Sequence, residues 1–313
     1  MLTTVGGART ELGDDVGITD LEESRRVAAA VGATFEAARA CNNLGVLLYG
    51  EGELIHAFAL LEEAARLAER AGHVDMVRFA QGMALLPALD HGRWDDCVRL
   101  ADAFIAECEA GAGHTLQASV HCHRGSIRLA RNETEGALAD AERALELAVD
   151  VQQPDRVFQS LAFAVRAFTA AGGLERAREL ASEFDFFTLC GRRPPPAWSY
   201  IHFAWVATEV GSADELERLL AGQKRQTTWV VATRAVLGGD YVEAAELFAR
   251  MGRARTRPTR GCAPERSSSR PVGAPRRTNS SRARSASSGR SGQRAICARP
   301  RRCFQHRSKS ADK

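Results

Sequence analysis

The sequence predicts an all-α protein, a right-handed superhelix of stacked helical hairpins followed by a disordered basic tail, and three observations carry that prediction. Apolar residues recur at helical spacing: Ala137, Leu138, Ala141, Ala144, Leu145 and Ala148 form one stripe, and Leu116, Val120, His123, Ile127 and Ala130 form another before it. Helix-breaking residues come at intervals of 39 or 40, at Gly13, Gly52, Gly92, Asn132, Gly172 and Gly211, with Gly239 after them. Residues 252–313 hold Val272, Ile296 and Phe304 as their only large aliphatic or aromatic side chains, too few to bury a core. Two narrow amphipathic helices cannot cover their own stripes, so each hairpin needs a copy on either side.

Each break joins the first helix of a unit to its second, because glycine takes positive φ without steric penalty and asparagine tolerates it. Five residues after the breaks stand Ile18, Ala57, Cys97, Ala137, Ala177, Leu216 and Ala244, mostly small, which lets the two helices approach closely. The first unit is short, with Leu2 to Leu12 as its leading helix before residues 18–31. The second, residues 35–72, is the most regular. In the third, Pro87 is expected to kink or end a helix near Leu86. The fourth places Asp140, Glu142, Arg143 and Glu146 on the charged face between its apolar positions. The fifth covers residues 155–184, and three consecutive prolines then predict a linker or rigid corner at 191–197. Repeats 1–190 are thus separated from two more at 198–220 and 227–251. Neither end of the stack carries a cap, which predicts modest stability.

The formal charge of +3 conceals a division. Residues 252–313 hold 18 Lys and Arg against 2 Asp and Glu, whereas the preceding 251 residues hold 24 against 37. A genuine basic arm of this kind would bind nucleic acid through phosphates, so nucleic acid is a partner only if the arm is real. The alternative is a frame-shifted reading. The chain has 39 Arg and 3 Lys, the bias of a GC-rich gene, and shifting 259–263 and 290–304 by one base yields helix-forming, leucine-bearing segments.

No run of 18 apolar residues and no signal-peptide pattern is present, so no membrane association is expected and the location is taken as cytoplasmic. Eight scattered cysteines without a CxxC pair read as reduced, buried side chains. A phosphate-binding loop needs a lysine after a glycine loop, but the body has only Lys224, which no such loop precedes. No strand-borne aspartate pair suited to a cyclase is recognisable. His114, His121, Cys122 and His123, with Cys97 or Cys108, suggest zinc only superficially, since residues 121 and 123 of one helix point about 200° apart. The acidic pairs Glu22 and Glu23, Glu62 and Glu63, and Asp95 and Asp96 read as solvated faces. The expectation is a non-catalytic chain with no cofactor, no metal and no catalytic residues.

Two stretches, NLGVLLYGEGELIHAFALLEEA and LGGDYVEAAELFARMG, resemble tetratricopeptide repeats. Leu44, Gly45, Gly52, Ala57, Leu61 and Ala64 match the pattern in the first, and Gly239, Tyr241, Ala244 and Phe248 in the second. The period of about 40, against 34, and the missing aromatic near Cys41 mark a divergent variety. Residues 94–148 are similar to C-terminal repeat regions of large bacterial signalling proteins that carry a class III adenylate/guanylate cyclase domain and an AAA-type ATPase domain, and related regions occur in ATP-dependent transcriptional activators. The resemblance implies a fragment of a larger regulator whose catalytic domains lie elsewhere. It also implies a protein or peptide ligand on a concave face lined by first helices. The corresponding positions are Arg39, Asn42, Val46 and Tyr49 in the second unit, Gln159, Ala162, Arg166 and Thr169 in the fifth, and Trp198, Ile201, Trp205 and Thr208 in the sixth. Among these, Arg39, Asn42 and Arg166 are candidates to hold a carboxylate or backbone, with Tyr49, Trp198 and Trp205 beside them. Tryptophans at this spacing are more often repeat core than binding anchors.

Overall fold

The computed structural model describes residues 2–12, 14, 16–151, 153–183, 197–223 and 225–253. The chain divides into two units, 1–263 and 264–313, and everything below lies in the first. Gly13, Lys224, the proline corner at 191–196 and the tail from 254 lie outside the described residues.

All regular elements among the described residues are helical. The first three units hold α1 (Leu2–Glu11), α2 (Val16–Ala30), α3 (Thr34–Glu51), α4 (Leu54–Ala71), α5 (Val74–Met83), α6 (Leu85–Asp90) and α7 (Trp94–Glu109). The fourth and fifth hold α8 (Gln117–Ala130), α9 (Thr134–Val151), α10 (Pro154–Ala170) and α11 (Leu174–Glu183). After a 3-10 turn (Ala197–Ser199) come α12 (Tyr200–Ala204), α13 (Ala207–Val210), α14 (Ala213–Ala221), α15 (Thr228–Leu237) and α16 (Tyr241–Arg250).

From Gly52 to Gly239 the breaks fall where the sequence places them, and they share one hydrogen-bond device. Gly52 has φ +91° and Asn132 +62°, and the amide of the next residue reaches the carbonyl four before the break, Glu53 to Leu48 and Glu133 to Arg128, both at 2.9 Å. The same bond recurs at Arg93, Gly173, Ser212 and Asp240, which satisfies carbonyls left open at each helix end. A second series, Gly32, Gly72, Gly111 and Gly252, ends second helices in the same conformation and is an addition to the sequence reading.

Close approach within a hairpin depends on two repeat positions. Ala57, Cys97, Ala137, Ala177 and Leu216 are completely buried, and Ala244 nearly so. Opposite them, seven residues before a break, stand Gly45 and Gly125. A Cβ on Gly45 would lie 2.9 Å from Leu61 Cγ and 3.1 Å from the Ala57 carbonyl oxygen. Ile18 departs from the expectation, being only part-buried. Its neighbour Gly17 makes the contact instead, packed so tightly that an added Cβ would lie 2.4 Å from the Gly6 carbonyl oxygen. In the third unit the interruption falls at Ala84, ahead of Leu86. Pro87 has no amide hydrogen for the carbonyl of Met83, four residues back, so the distortion appears one turn upstream.

First helices of successive units touch in the order α3, α5, α6, α8, α10, α12 and α15, and α15 touches α3 again. The circuit is closed. Where it closes, the Trp229 indole N–H donates to the Tyr49 carbonyl at 2.7 Å, and Arg225 pairs with Glu51 at 3.1 Å. Trp229, Tyr200, Phe163 and Phe203 are the largest fully buried side chains, and one core runs from Tyr49 to Met251.

Candidate functional site

The groove positions named from the sequence separate into three environments. Along α3, Arg39 is half-buried and its guanidinium lies 2.7 Å from Glu36, one turn away on the same helix. Asn42 is buried; its amide donates to Asn43 at 3.3 Å, and its own oxygen accepts no bond. Val46 is exposed. Tyr49 is buried within an aromatic cluster, 6.0 Å from Trp198, 5.6 Å from Trp229 and 6.1 Å from Phe58 between ring centres. Tyr49 and Trp198 therefore come together inside the circuit, with Trp198 only partly covered.

The second environment joins α10, α12 and α16. Arg166 donates to His202 Nδ1 at 3.1 Å and lies over the Trp205 ring at 5.8 Å. Trp205 in turn stacks on Tyr241, with centroids 5.3 Å apart and planes 13° apart. Because Nδ1 accepts from a guanidinium, the His202 ring is neutral. Burial, reinforced by Arg166, His123 and Arg253, holds its pKa well below the ordinary value. Tyr241 is 42% exposed, Trp205 and Thr169 are partly exposed and Thr208 is exposed, so this ledge of one cation and two aromatic faces reaches solvent. Nothing in the sequence pairs Arg166 with His202 or Trp205 with Tyr241.

The third environment is buried and polar. Gln159 accepts from Ser119 at 2.7 Å, and Arg156 donates to the same hydroxyl at 2.9 Å. Ala162 is packed in the core, as is Ile201. His123 also lies inside, its pKa pushed down to about 4 by burial and by Arg156 and Arg253. Cys97 and Cys122 are buried thiols pushed up to about 12, so neither is a ready nucleophile.

Asp140 corrects the sequence reading. Expected on a solvated face, it is 1% exposed. His121 Nδ1 lies 2.8 Å from its carboxylate, Arg124 donates at 2.6 Å and Arg128 at 2.9 Å, while Arg124 also reaches Asp102 at 2.6 Å. Burial raises the Asp140 pKa, but His121 and the two arginines outweigh it and leave the carboxyl below its ordinary range. A signal was present in the repeat: Leu21, Leu60, Leu100, Leu180, Leu219 and Leu247 hold the same position, eight residues after a break. An aspartate in a leucine position is a buried charge with partners nearby. His121 is engaged here and His123 faces elsewhere, and no set of three or more His, Cys, Asp or Glu converges as metal ligands among the described residues.

No helix among the described residues is long and apolar enough to cross a membrane. No protein-family profile matches the chain, and no curated protein shows significant similarity to it.

Proposed function

We propose that the chain is a non-catalytic interaction scaffold of tetratricopeptide-like units arranged as a superhelix, and that it recognises a protein or peptide segment at the ledge of Arg166, Trp205 and Tyr241. The observation that carries this reading is the part-exposed stack itself. A guanidinium positioned by His202 lies over an indole, and a tyrosine ring extends the same surface. Such rings bury large area with little loss of conformational freedom, and arginine adds directional donors. The regular breaks and small contact residues support the repeat assignment. Neutral, packed histidines and unreactive thiols fit a binding role better than acid, base or nucleophilic chemistry. Buried free cysteines suit a reducing cytoplasm. The likeness of residues 94–148 to repeat regions of cyclase- and ATPase-bearing proteins supports a regulatory setting.

The test is selection of peptides from a random displayed library against the full chain, followed by titration of the selected peptides. Arg166→Ala and Trp205→Ala should each weaken binding by roughly tenfold or more, as anchor residues do. Arg143→Ala, on α9, should leave it unchanged, and Arg39→Ala should have a smaller effect because Glu36 already holds that guanidinium. Peptides that bind all four variants as tightly as the unaltered chain would remove the ledge from consideration.

A further inference from the structure

The third unit departs from the repeat in two places, and both departures border one cleft. Its first helix is interrupted between α5 and α6, so Gln81 and Ala84, eleven and eight residues before the break, are exposed. Their counterparts Cys41 and Leu44, Leu161 and Ala164, and Tyr200 and Phe203 are all buried. Its second helix, α7, reaches the next unit only after residues 110–116, whereas two or three residues join α2 to α3 and α4 to α5. Between α5, the end of α4 and the end of α7 lies a cleft of about 540 Å³, open to solvent and lined by Val74, Val77, Arg78, Glu107, Ala110 and Ala112, with Gln81 beside them.

The two charged residues of the cleft lack countercharges. Arg78 donates to the Ala112 and Gly113 carbonyls and lies 3.5 Å from Cys108 Sγ, which holds the long connection in place. It pairs with no carboxylate among the described residues, and its buried Nε–H has no acceptor. Glu107 is exposed, and its carboxylate has neither an ion pair nor a hydrogen bond among the described residues.

We propose that this cleft binds a free α-amino acid with an apolar side chain, its carboxylate toward Arg78, its ammonium group toward Glu107 and its side chain against Val74, Val77 and Ala110. A cation and a carboxylate along one cavity match the paired charges of a zwitterion. A simple carboxylate would be repelled by Glu107 and a simple amine by Arg78. The volume falls in the range of about 300–1,000 Å³ that small ligands occupy, and the apolar walls regain cover, Val74 being 69% exposed. Two breaches of an otherwise regular pattern meeting at one cavity are the mark of a site, since such irregularity is unfavourable unless it is used. The inference concerns a surface other than the Arg166 ledge and does not rest on the peptide-scaffold reading.

The test is calorimetric titration of the full chain with L-leucine and L-phenylalanine, and with the N-acetyl and amide derivatives of each, which lack one charge. Saturable binding is expected for at least one of the two amino acids, with a Kd of about 1 mM or tighter. Each derivative should bind at least about threefold more weakly than its parent, as loss of one exposed charge contact implies. Glu107→Gln, a change at an exposed side chain, should weaken the parent to the level of its N-acetyl derivative and leave that derivative unchanged. Ala110→Trp fills the cleft from an exposed position and should abolish binding with thermal unfolding unaltered; if that variant does not fold, Glu107→Gln decides. No saturation by either amino acid up to about 10 mM, equal affinity for parent and derivatives, or an unchanged parent affinity in either variant would overturn the proposal.

Discussion

Asp140 and His123 show how much a single buried polar group decides in this chain. Asp140→Ala would strand Arg124 and Arg128 beside a buried gap, and we expect a loss of about 3 kcal/mol in denaturant unfolding. A loss below about 1 kcal/mol, the level of an exposed ion pair, would show that the arginines find other partners. The pH dependence has a defined sign. Because the Asp140 pKa is depressed from 3.8, its contribution is present above the ordinary carboxylate range and disappears as the pH falls below it. His123 acts in a higher window. Its folded pKa of about 4 lies below 6.5, so the unfolded chain takes up a proton first and stability falls by up to about 3 kcal/mol between those values. His123→Gln should flatten unfolding free energy measured from pH 7 to 4.5; an unaltered slope would rule the residue out. The buried position of His123 was legible because it lies in an apolar stripe. That of Asp140 was legible only against its six leucine counterparts, not from charge alone.

Helices in this chain are separated by turns and spaced by glycines, and the same substitution should act in opposite directions at different places. A Cβ on Gly125 would stand 2.5 Å from Phe163 Cζ and 3.0 Å from Asp140 Cβ. Gly125→Ala should therefore lose about 1–3 kcal/mol despite the better helix propensity of alanine. At Gly7, inside α1, an added methyl meets nothing within 4 Å, and Gly7→Ala should gain about 0.5–1 kcal/mol. Thermal melting of the two variants in opposite directions is the check. At the fourth break, Asn132→Ala should lose about 1 kcal/mol for its left-handed φ, and Asn132→Gly should be close to neutral. The first-to-second-helix breaks could be read because they recur with almost constant spacing. The alternate series at Gly32, Gly72, Gly111 and Gly252 escaped because the fourth unit carries no glycine at that place, which breaks the spacing after three members.

Closure joins units that are far apart in the chain, and mechanical coupling should follow it. Leu247, buried in α16, belongs to the same core as Tyr49 and Leu54. Leu247→Ala should raise amide exchange in α3 as well as α16, with α8 and α9 little changed; a rise confined to 197–253 would mean that the closing contact carries no load. This level of organisation was hidden from the sequence. Periodicity reports which face of a helix is buried, but the angle between successive hairpins depends on side-chain volumes spread over every interface. Tyr49 and Trp229, 180 residues apart, share no repeat relation that could have announced their contact. Arg39, Asn42 and Tyr49 stand at helical spacing along α3, yet Tyr49 is buried where the circuit closes and Arg39 is only half-buried. A closed circuit also counts. An open row of hairpins can gain or lose a member and remain a row, whereas here the first helices of six consecutive units form a row whose last member meets its first. Loss of one hairpin, even in perfect register, would leave α15 unable to meet α3, so the copy number is as much a constrained quantity as any residue in the core.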